Sequence, residues 1–237
     1  MLVTPNGTVA ASFPIATDNS THLNPTVAFD GTNFFVAWEQ LPTSGTTVGS
    51  IYGVRVSATG SVLDLTPITI ASAPNGQSTP SVAFDGTNYL VVWLDMRNQT
   101  TPTVVPYPDI YGARVTTTGV LLDGPSASGG FAINGGGTIE RSSPRVAFSG
   151  TEYLVTWTVL GYANSGSPGV QAARVSTAGT LPSGTNMTVP VSGPPSAATG
   201  SQFTNPVMAS GSQHGAVIWF DNQNTSKVLV GASFSPF

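Results

Sequence analysis

Pro80-Ser-Val-Ala-Phe-Asp-Gly-Thr-Asn-Tyr-Leu-Val-Val-Trp93 occurs in three further versions: Pro25-Thr-Val-Ala-Phe-Asp-Gly-Thr-Asn-Phe-Phe-Val-Ala-Trp38, Pro144-Arg-Val-Ala-Phe-Ser-Gly-Thr-Glu-Tyr-Leu-Val-Thr-Trp157 and the decayed Pro206-Val-Met-Ala-Ser-Gly-Ser-Gln-His-Gly-Ala-Val-Ile-Trp219. Proline and tryptophan stand 13 residues apart each time, and successive versions begin 55, 64 and 62 residues apart. A fixed spacing recurring at such a period is the signature of a repeat architecture. Within the quoted version, the β-branched and aromatic runs Ser81-Val-Ala-Phe84 and Asn88-Tyr-Leu-Val-Val-Trp93 flank Asp85-Gly86-Thr87. Asp-Gly between two such runs marks a hairpin, because both residues tolerate the positive φ of a tight turn.

A second motif follows each hairpin: Ile51-Tyr-Gly-Val-Arg-Val56, Ile110-Tyr-Gly-Ala-Arg-Val115, Val170-Gln-Ala-Ala-Arg-Val175 and Leu229-Val-Gly-Ala-Ser-Phe234. In the first three, a glycine comes four residues after the closing valine, at Gly60, Gly119 and Gly179. A short apolar strand is expected next, such as Val62-Leu63 or Val120-Leu-Leu122, which makes four strands per unit. Tyr89, Val91 and Trp93 alternate with Leu90 and Val92, so the second strand is apolar on both faces and needs a cover on both. Radial packing of four-stranded sheets supplies two covers per sheet. No stretch carries a helical apolar period.

The expected fold is all-β, a four-bladed β-propeller of four-stranded antiparallel blades in a single domain spanning 1–237. Blade 1 covers about 23–70, blade 2 about 78–133, blade 3 about 142–191, and blade 4 about 204–237 plus 1–16. A stacked β-solenoid is the weaker alternative, since its coils are usually shorter.

The last version stops after its third strand, while Val3-Thr-Pro-Asn-Gly-Thr-Val9 aligns with Val56-Ser-Ala-Thr-Gly-Ser-Val62 and Val115-Thr-Thr-Thr-Gly-Val-Leu121. The N-terminal strand is therefore expected to complete the last blade. A sheet edge with unpaired backbone groups recruits a strand. That strand either closes its own ring or pairs with a neighbour's last blade, which builds a head-to-tail chain. Two such chains could also merge into one larger ring.

Only 8% of the 237 residues are charged, the net charge is −4, and Lys227 is the sole lysine. No positive stripe exists to neutralise phosphates, which disfavours nucleic acid and anionic membranes as partners. No apolar run approaches the length of a membrane span. The chain starts in a strand-like segment, so a signal peptide is expected to be absent or already removed. There is no cysteine, which rules out disulfides and thiolate metal sites. Solubility rests on Ser, Thr, Asn and Gly, which reads as an extracellular or cell-surface location.

Val82-Ala-Phe-Asp-Gly-Thr-Asn-Tyr-Leu-Val-Val-Trp93, followed by Asp109-Ile-Tyr-Gly-Ala-Arg-Val115, resembles the tandem repeats of a family of secreted, often very large bacterial proteins. Those repeats are taken to form propellers. The resemblance covers nearly the whole chain, strongly in three versions and weakly in the fourth, where Ser210-Gly-Ser-Gln-His214 replaces the Phe-Asp-Gly-Thr-Asn segment. It implies a propeller fold and secretion, and it carries no catalytic residue to any position. The Asp-Gly turns are also similar to the Asp-box turns of sialidase-like propellers, but Asp85 and Trp93 stand too far apart, so the likeness is one of turn chemistry.

Arg55, Arg114 and Arg174 hold one position in three units and could clamp a carboxylate. Their repetition, broken by Ser233, reads instead as structural, with Asp95 or Asp109 the expected partner of Arg114. Trp38, Trp93, Trp157 and Trp219 read as core between blades before sugar-stacking platforms. Asp30 and Asp85 read as turn formers. No calcium loop is present, and His22 and His214 lack a zinc-type spacing, so no metal, cofactor or catalytic constellation is expected. The three glutamates, Glu39, Glu140 and Glu152, leave a paired-carboxylate hydrolase without positive support.

Strand alternation places the short turns on one face of the ring and the long, dissimilar connections on the other. Variable loops on a rigid scaffold are where binding resides, and within them Arg97, Tyr107, Glu140, Arg141 and Tyr162 are the ligand-binding candidates. Asn-x-Ser/Thr sites occur at Asn6, Asn19, Asn98, Asn186 and Asn224. The leading expectation is a non-catalytic extracellular structural or self-assembling propeller, partnered by itself through strand exchange and able to polymerise into a filament. The alternative is a lectin-like module binding a glycan on the long-loop face, and the third reading is a glycoside hydrolase or sialidase-like enzyme.

Overall fold

The computed structural model describes residues 7–9, 12–43, 48–99, 107–125, 129–136, 139–160, 169–182, 187–188, 202–210, 215–223 and 226–234. These residues form four antiparallel sheets. The first is β1 (Thr21–Phe29), β2 (Asn33–Leu41), β3 (Ser50–Ser57) and β4 (Ile68–Ala71). The second is β5 (Gln77–Phe84), β6 (Asn88–Asp95), β7 (Asp109–Thr116) and β8 (Phe131–Asn134). The third is β9 (Glu140–Phe148), β10 (Glu152–Leu160), β11 (Gly169–Ser176) and β12 (Met187–Thr188), and the fourth is β13 (Gln202–Ser210), β14 (Gly215–Gln223) and β15 (Ser226–Phe234). Within each sheet the strands pair in chain order, as a meander.

Hairpin chemistry follows from the repeated turn. Asp85 Oδ1 accepts the N–H groups of Thr87 and Asn88, both at 2.7 Å, and Gly86 adopts φ +96°. Asp30 does the same for Thr32 and Asn33, at 2.7 and 2.6 Å. Each aspartate therefore acts as an Asx turn that also ends its strand.

The fourth strand of each of the first three units lies later than expected. Val62 and Leu121 make only isolated bridges to Val56 and Val115. Leu63 N–H donates to the Arg55 carbonyl at 2.9 Å, but the Arg55 N–H goes to Asp64 Oδ2 at 2.7 Å. A side chain thus occupies the donor that a continuing strand would need, and the ladder stops until Ile68. Asp123 interrupts it identically at Arg114.

The same two aspartates correct the expected ion pair. Arg114 bonds Asp123, at 2.7 Å from Nη2 to Oδ1, and not Asp95 or Asp109. Arg55 bonds Asp64 at 2.6 Å in the same way. The guanidinium lies beside β7, and the turn folds Asp123 back onto it, whereas Asp95 and Asp109 sit at the far end of their strands. Arg55 Nη1 also reaches the Thr117 carbonyl at 3.3 Å, and Arg114 Nη1 the Thr177 carbonyl at 3.2 Å, so each arginine ties its sheet to the next.

Successive sheets stack face to face. Tyr89, Val91 and Trp93 on one face of the second sheet pack with Phe35, Ala37 and Ile70 of the first. Leu90 and Val92 on its other face pack with Tyr153, Val155 and Trp157 of the third. All four repeat tryptophans are buried, which meets the need for two covers per strand.

Among the described residues, one face of the first sheet is covered only in part. Val82 and Val146 are each 8% exposed, while Val27, which holds the same place in β1, is 58% exposed. Phe13, Ile15 and Ala16 lie on this face beside Phe34, Val36 and Trp38. Phe13-Pro-Ile-Ala16 matches Ile68-Thr-Ile-Ala71 and Phe131-Ala-Ile-Asn134, and Ile70 and Ile133 pack on the second and third sheets in the corresponding way. The N-terminal segment thus holds the position of a preceding unit's last strand. Gly7 has φ +81°, close to +89° at Gly60 and +88° at Gly119, in keeping with the sequence alignment. Pairing of residues 1–6 and 10–11 lies outside the described residues.

Candidate functional site

β1, β5, β9 and β13 are the innermost strands, and each carries the repeat proline. The pairing register slips between Leu23 and Thr26, between Ser78 and Ser81, and between Thr204 and Val207, and β10 slips against β9 between Thr156 and Thr158. The Pro position is therefore a bulge repeated around the fold. An innermost strand has no partner on its inner edge, and proline, with no N–H, suits that edge. The residue before three of the four prolines is left-handed without being glycine: Asn24 at φ +50°, Thr79 at +50° and Ser143 at +52°. Such conformations cost roughly 1–3 kcal/mol each and collect at functional sites.

These bulges enclose a cleft of about 360 Å³ between the innermost strands. Asn24, Thr26, Thr79, Ser81, Ser143 and Arg145 line it, with Pro25 and Pro80. Glu39, buried behind this lining, accepts from Asn24 Nδ2 at 2.8 Å and from the Thr79 N–H at 3.2 Å. Ser81 Oγ accepts the Val146 N–H at 3.2 Å, joining two innermost strands. Arg145 Nη1 donates to the Pro144 carbonyl at 2.8 Å. Burial pushes the Arg145 guanidinium below its usual value, with no opposing influence from an acid.

A second, mostly apolar cleft of about 400 Å³ adjoins the first at Pro25 and Thr26, lined further by Phe13, Ile15, Val27, Phe34, Val36 and Val56. Among the described residues, no group of three or more His, Asp or Glu could hold a metal ion. Among the described residues, no carboxylate lines either cleft.

The candidates on the long-loop face are differently placed. Arg97 bonds Asp95 at 2.9 and 2.7 Å and the Gly129 carbonyl at 2.9 Å, and its guanidinium lies 4.2 Å above the Tyr111 ring. Arg141 is buried, bonding Asn134 Oδ1 at 2.6 Å and the carbonyls of Ile139 and Gly136, each at 3.1 Å. Burial lowers its pKa, partly offset by Asp109, 3.9 Å away. Both arginines thus bind loop backbone and neighbouring acids. Tyr107 is half-buried just before β7, Glu140 is half-buried at the start of β9, and none of these four lines either cleft. Tyr162 lies outside the described residues.

Arg145 was not among the expected site residues. Its signal is readable in the column that follows the repeat proline: Thr26, Ser81, Arg145 and Val207.

Four-stranded antiparallel meanders stacked around innermost strands define a β-propeller-like all-β fold. Solved structures agree. The chain superposes on the GH43_1 enzyme from Xanthomonas citri complexed with xylotriose with a TM-score of 0.54 at 11% identity, over 91% of this chain and 74% of that one. It superposes on xylan β-1,4-xylosidase from Bacillus halodurans C-125 with a TM-score of 0.52 at 12% identity, over 91% of this chain and 41% of that one. An exo-1,5-α-L-arabinanase from a bovine ruminal metagenomic library gives 0.48 at 17% identity, over 74% of this chain and 60% of that one. This chain therefore spans less than two thirds of the arabinanase and of the xylosidase. No family model matches the sequence, and no curated protein does. The likeness is one of fold.

Proposed function

We propose that the chain is a non-catalytic, extracellular four-bladed propeller that acts as a structural, self-assembling component, with the fourth sheet of one copy docking on the first sheet of the next. The observation that carries this reading is the exposure of Val27, at 58%, where Val82 and Val146 are each 8% exposed. Later sheets bury this face on their predecessor, so a fourth sheet is its natural complement. Ile218, on the opposite face of the fourth sheet, is also exposed. Each such side chain left in water forgoes about 1.5–3 kcal/mol.

Phe13 to Ala16 already sit where a last strand belongs, so an arriving fourth sheet finds its missing strand in place. The polar, hydroxyl-rich and nearly lysine-free composition supports an extracellular setting. The lining of the two clefts, amide, hydroxyl and apolar groups with Arg145 among the described residues, supports a non-catalytic role. A glycan ligand on the long-loop face is the weaker reading, because Arg97 and Arg141 are already engaged there.

Cysteine cross-linking tests the assembly directly, because the chain has no cysteine of its own. Val27→Cys and Ile218→Cys variants, mixed and joined by a short bis-maleimide, should give a two-chain product. A double variant that yields only a one-chain product, with a monodisperse monomer by light scattering from dilute to near-millimolar concentration, overturns assembly in favour of closure within one chain.

A further inference from the structure

We infer that the cleft between the innermost strands binds a small carboxylate that also carries hydroxyl groups, the chemistry of a sugar acid, and that Arg145 receives the carboxylate. The site is independent of the assembly proposed above.

Seven Lys and Arg, less Lys227, leave six arginines. Five of them lie within ion-pair reach of an acid: Arg55 with Asp64, Arg97 with Asp95, Arg114 with Asp123, Arg141 with Asp109 and Arg174 with Glu152. Arg145 has no such partner among the described residues, and its hydrogen bond goes to a carbonyl. A half-buried cation without a counter-charge is costly to the fold. A charge retained at such a cost in a cleft is a mark of function.

The fold does not require this arginine. The three other units hold Thr26, Ser81 and Val207 in its place, on innermost strands of the same design. The charge is therefore specific to this one wall of the cleft. A guanidinium offers a planar fork that matches a carboxylate in two parallel hydrogen bonds.

The remaining lining suits hydroxyl groups. Asn24, Thr26, Ser81 and Ser143 contribute amide and hydroxyl groups without further charge. Glu39 fixes Asn24 and the backbone of Thr79 from behind. The left-handed bulges at Asn24, Thr79 and Ser143 hold this lining on rigid strands rather than loops. A volume of about 360 Å³ falls at the small end of the roughly 300–1,000 Å³ typical of ligand sites.

Calorimetric titration with glucuronate and galacturonate, against glucose, galactose, acetate and inorganic phosphate, tests the assignment. The expected result is saturable binding of a uronate, absent for the neutral sugars and weaker for acetate and phosphate. Arg145→Ala should weaken it roughly 10- to 100-fold, and Arg145→Lys should restore part of the loss. Should the alanine variant fail to fold, Arg145→Met keeps the aliphatic stem and removes the charge. Thr26→Val should weaken the uronate more than acetate. No saturable binding of either uronate, or binding indifferent to Arg145→Met, overturns the site. Acetate or phosphate binding as tight as uronate overturns the sugar-acid assignment.

Discussion

Thr79 adopts a left-handed backbone one residue before a proline, and its buried Oγ1 has no hydrogen-bond partner. A β-branched residue pays more for that conformation than asparagine does. The chain itself uses Asn24 and Asn205 at the equivalent position. Thr79→Asn should therefore raise stability by roughly 1 kcal/mol in urea denaturation. Asp30 makes a second case. Burial pushes its carboxyl up, but bonds from the Asn33 and Thr32 N–H groups and the Tyr89 hydroxyl prevail and hold it below 3.8. A depressed carboxylate stabilises the fold above its unfolded value, and that contribution is lost as pH falls through the folded value. Stability should fall below pH 3.8, and Asp30→Asn should flatten that limb of the profile. The turn role of Asp30 was legible in the Asp-Gly pair. Its bond to Tyr89, 59 residues away, was not, because sequence does not show which sheets touch.

At the scale of elements, the repeated arginine carries two duties. It takes Asp64 or Asp123 within its own unit and reaches a carbonyl at the tip of the next. Arg114→Ala should cost about 1–2 kcal/mol, the pair being partly exposed, and a double-mutant cycle with Asp123→Ala should return most of that as coupling. Repetition alone marked these arginines as structural. It misassigned the partner of Arg114, because Asp95 and Asp109 flank the strands while Asp123 arrives only once the turn at Gly119 folds back. The same side chain explains the misplaced fourth strand. An apolar run at Val120-Leu-Leu122 looks like a strand until Asp123 takes the N–H that would have continued the ladder.

Among the described residues, the sheets stack face to face and leave apolar side chains exposed at both ends, Val27 and Phe29 on the first sheet and Val207 and Ile218 on the fourth. Stacking was legible, since strands apolar on both sides demand two covers. The exposure of Val27 was not, because every unit reads alike in sequence and only the packing shows which faces meet. Joined copies should melt at a temperature that rises with protein concentration. Val27→Asp should remove that dependence and leave a monomer, as read by sedimentation and thermal denaturation. A melting temperature independent of concentration in the unaltered protein would count against assembly.

Local chemistry determined the repeat, its hairpins and the identity of its core, because spacing, turn residues and alternating apolar faces act over a few residues and are written in order along the chain. Tertiary structure alone decided which neighbouring carbonyl Arg55 and Arg114 reach, which face stays open and where Arg145 stands. These depend on distances between residues some 60 positions apart, such as Ser81 and Val146, and only the packing of one sheet on the next brings such residues together.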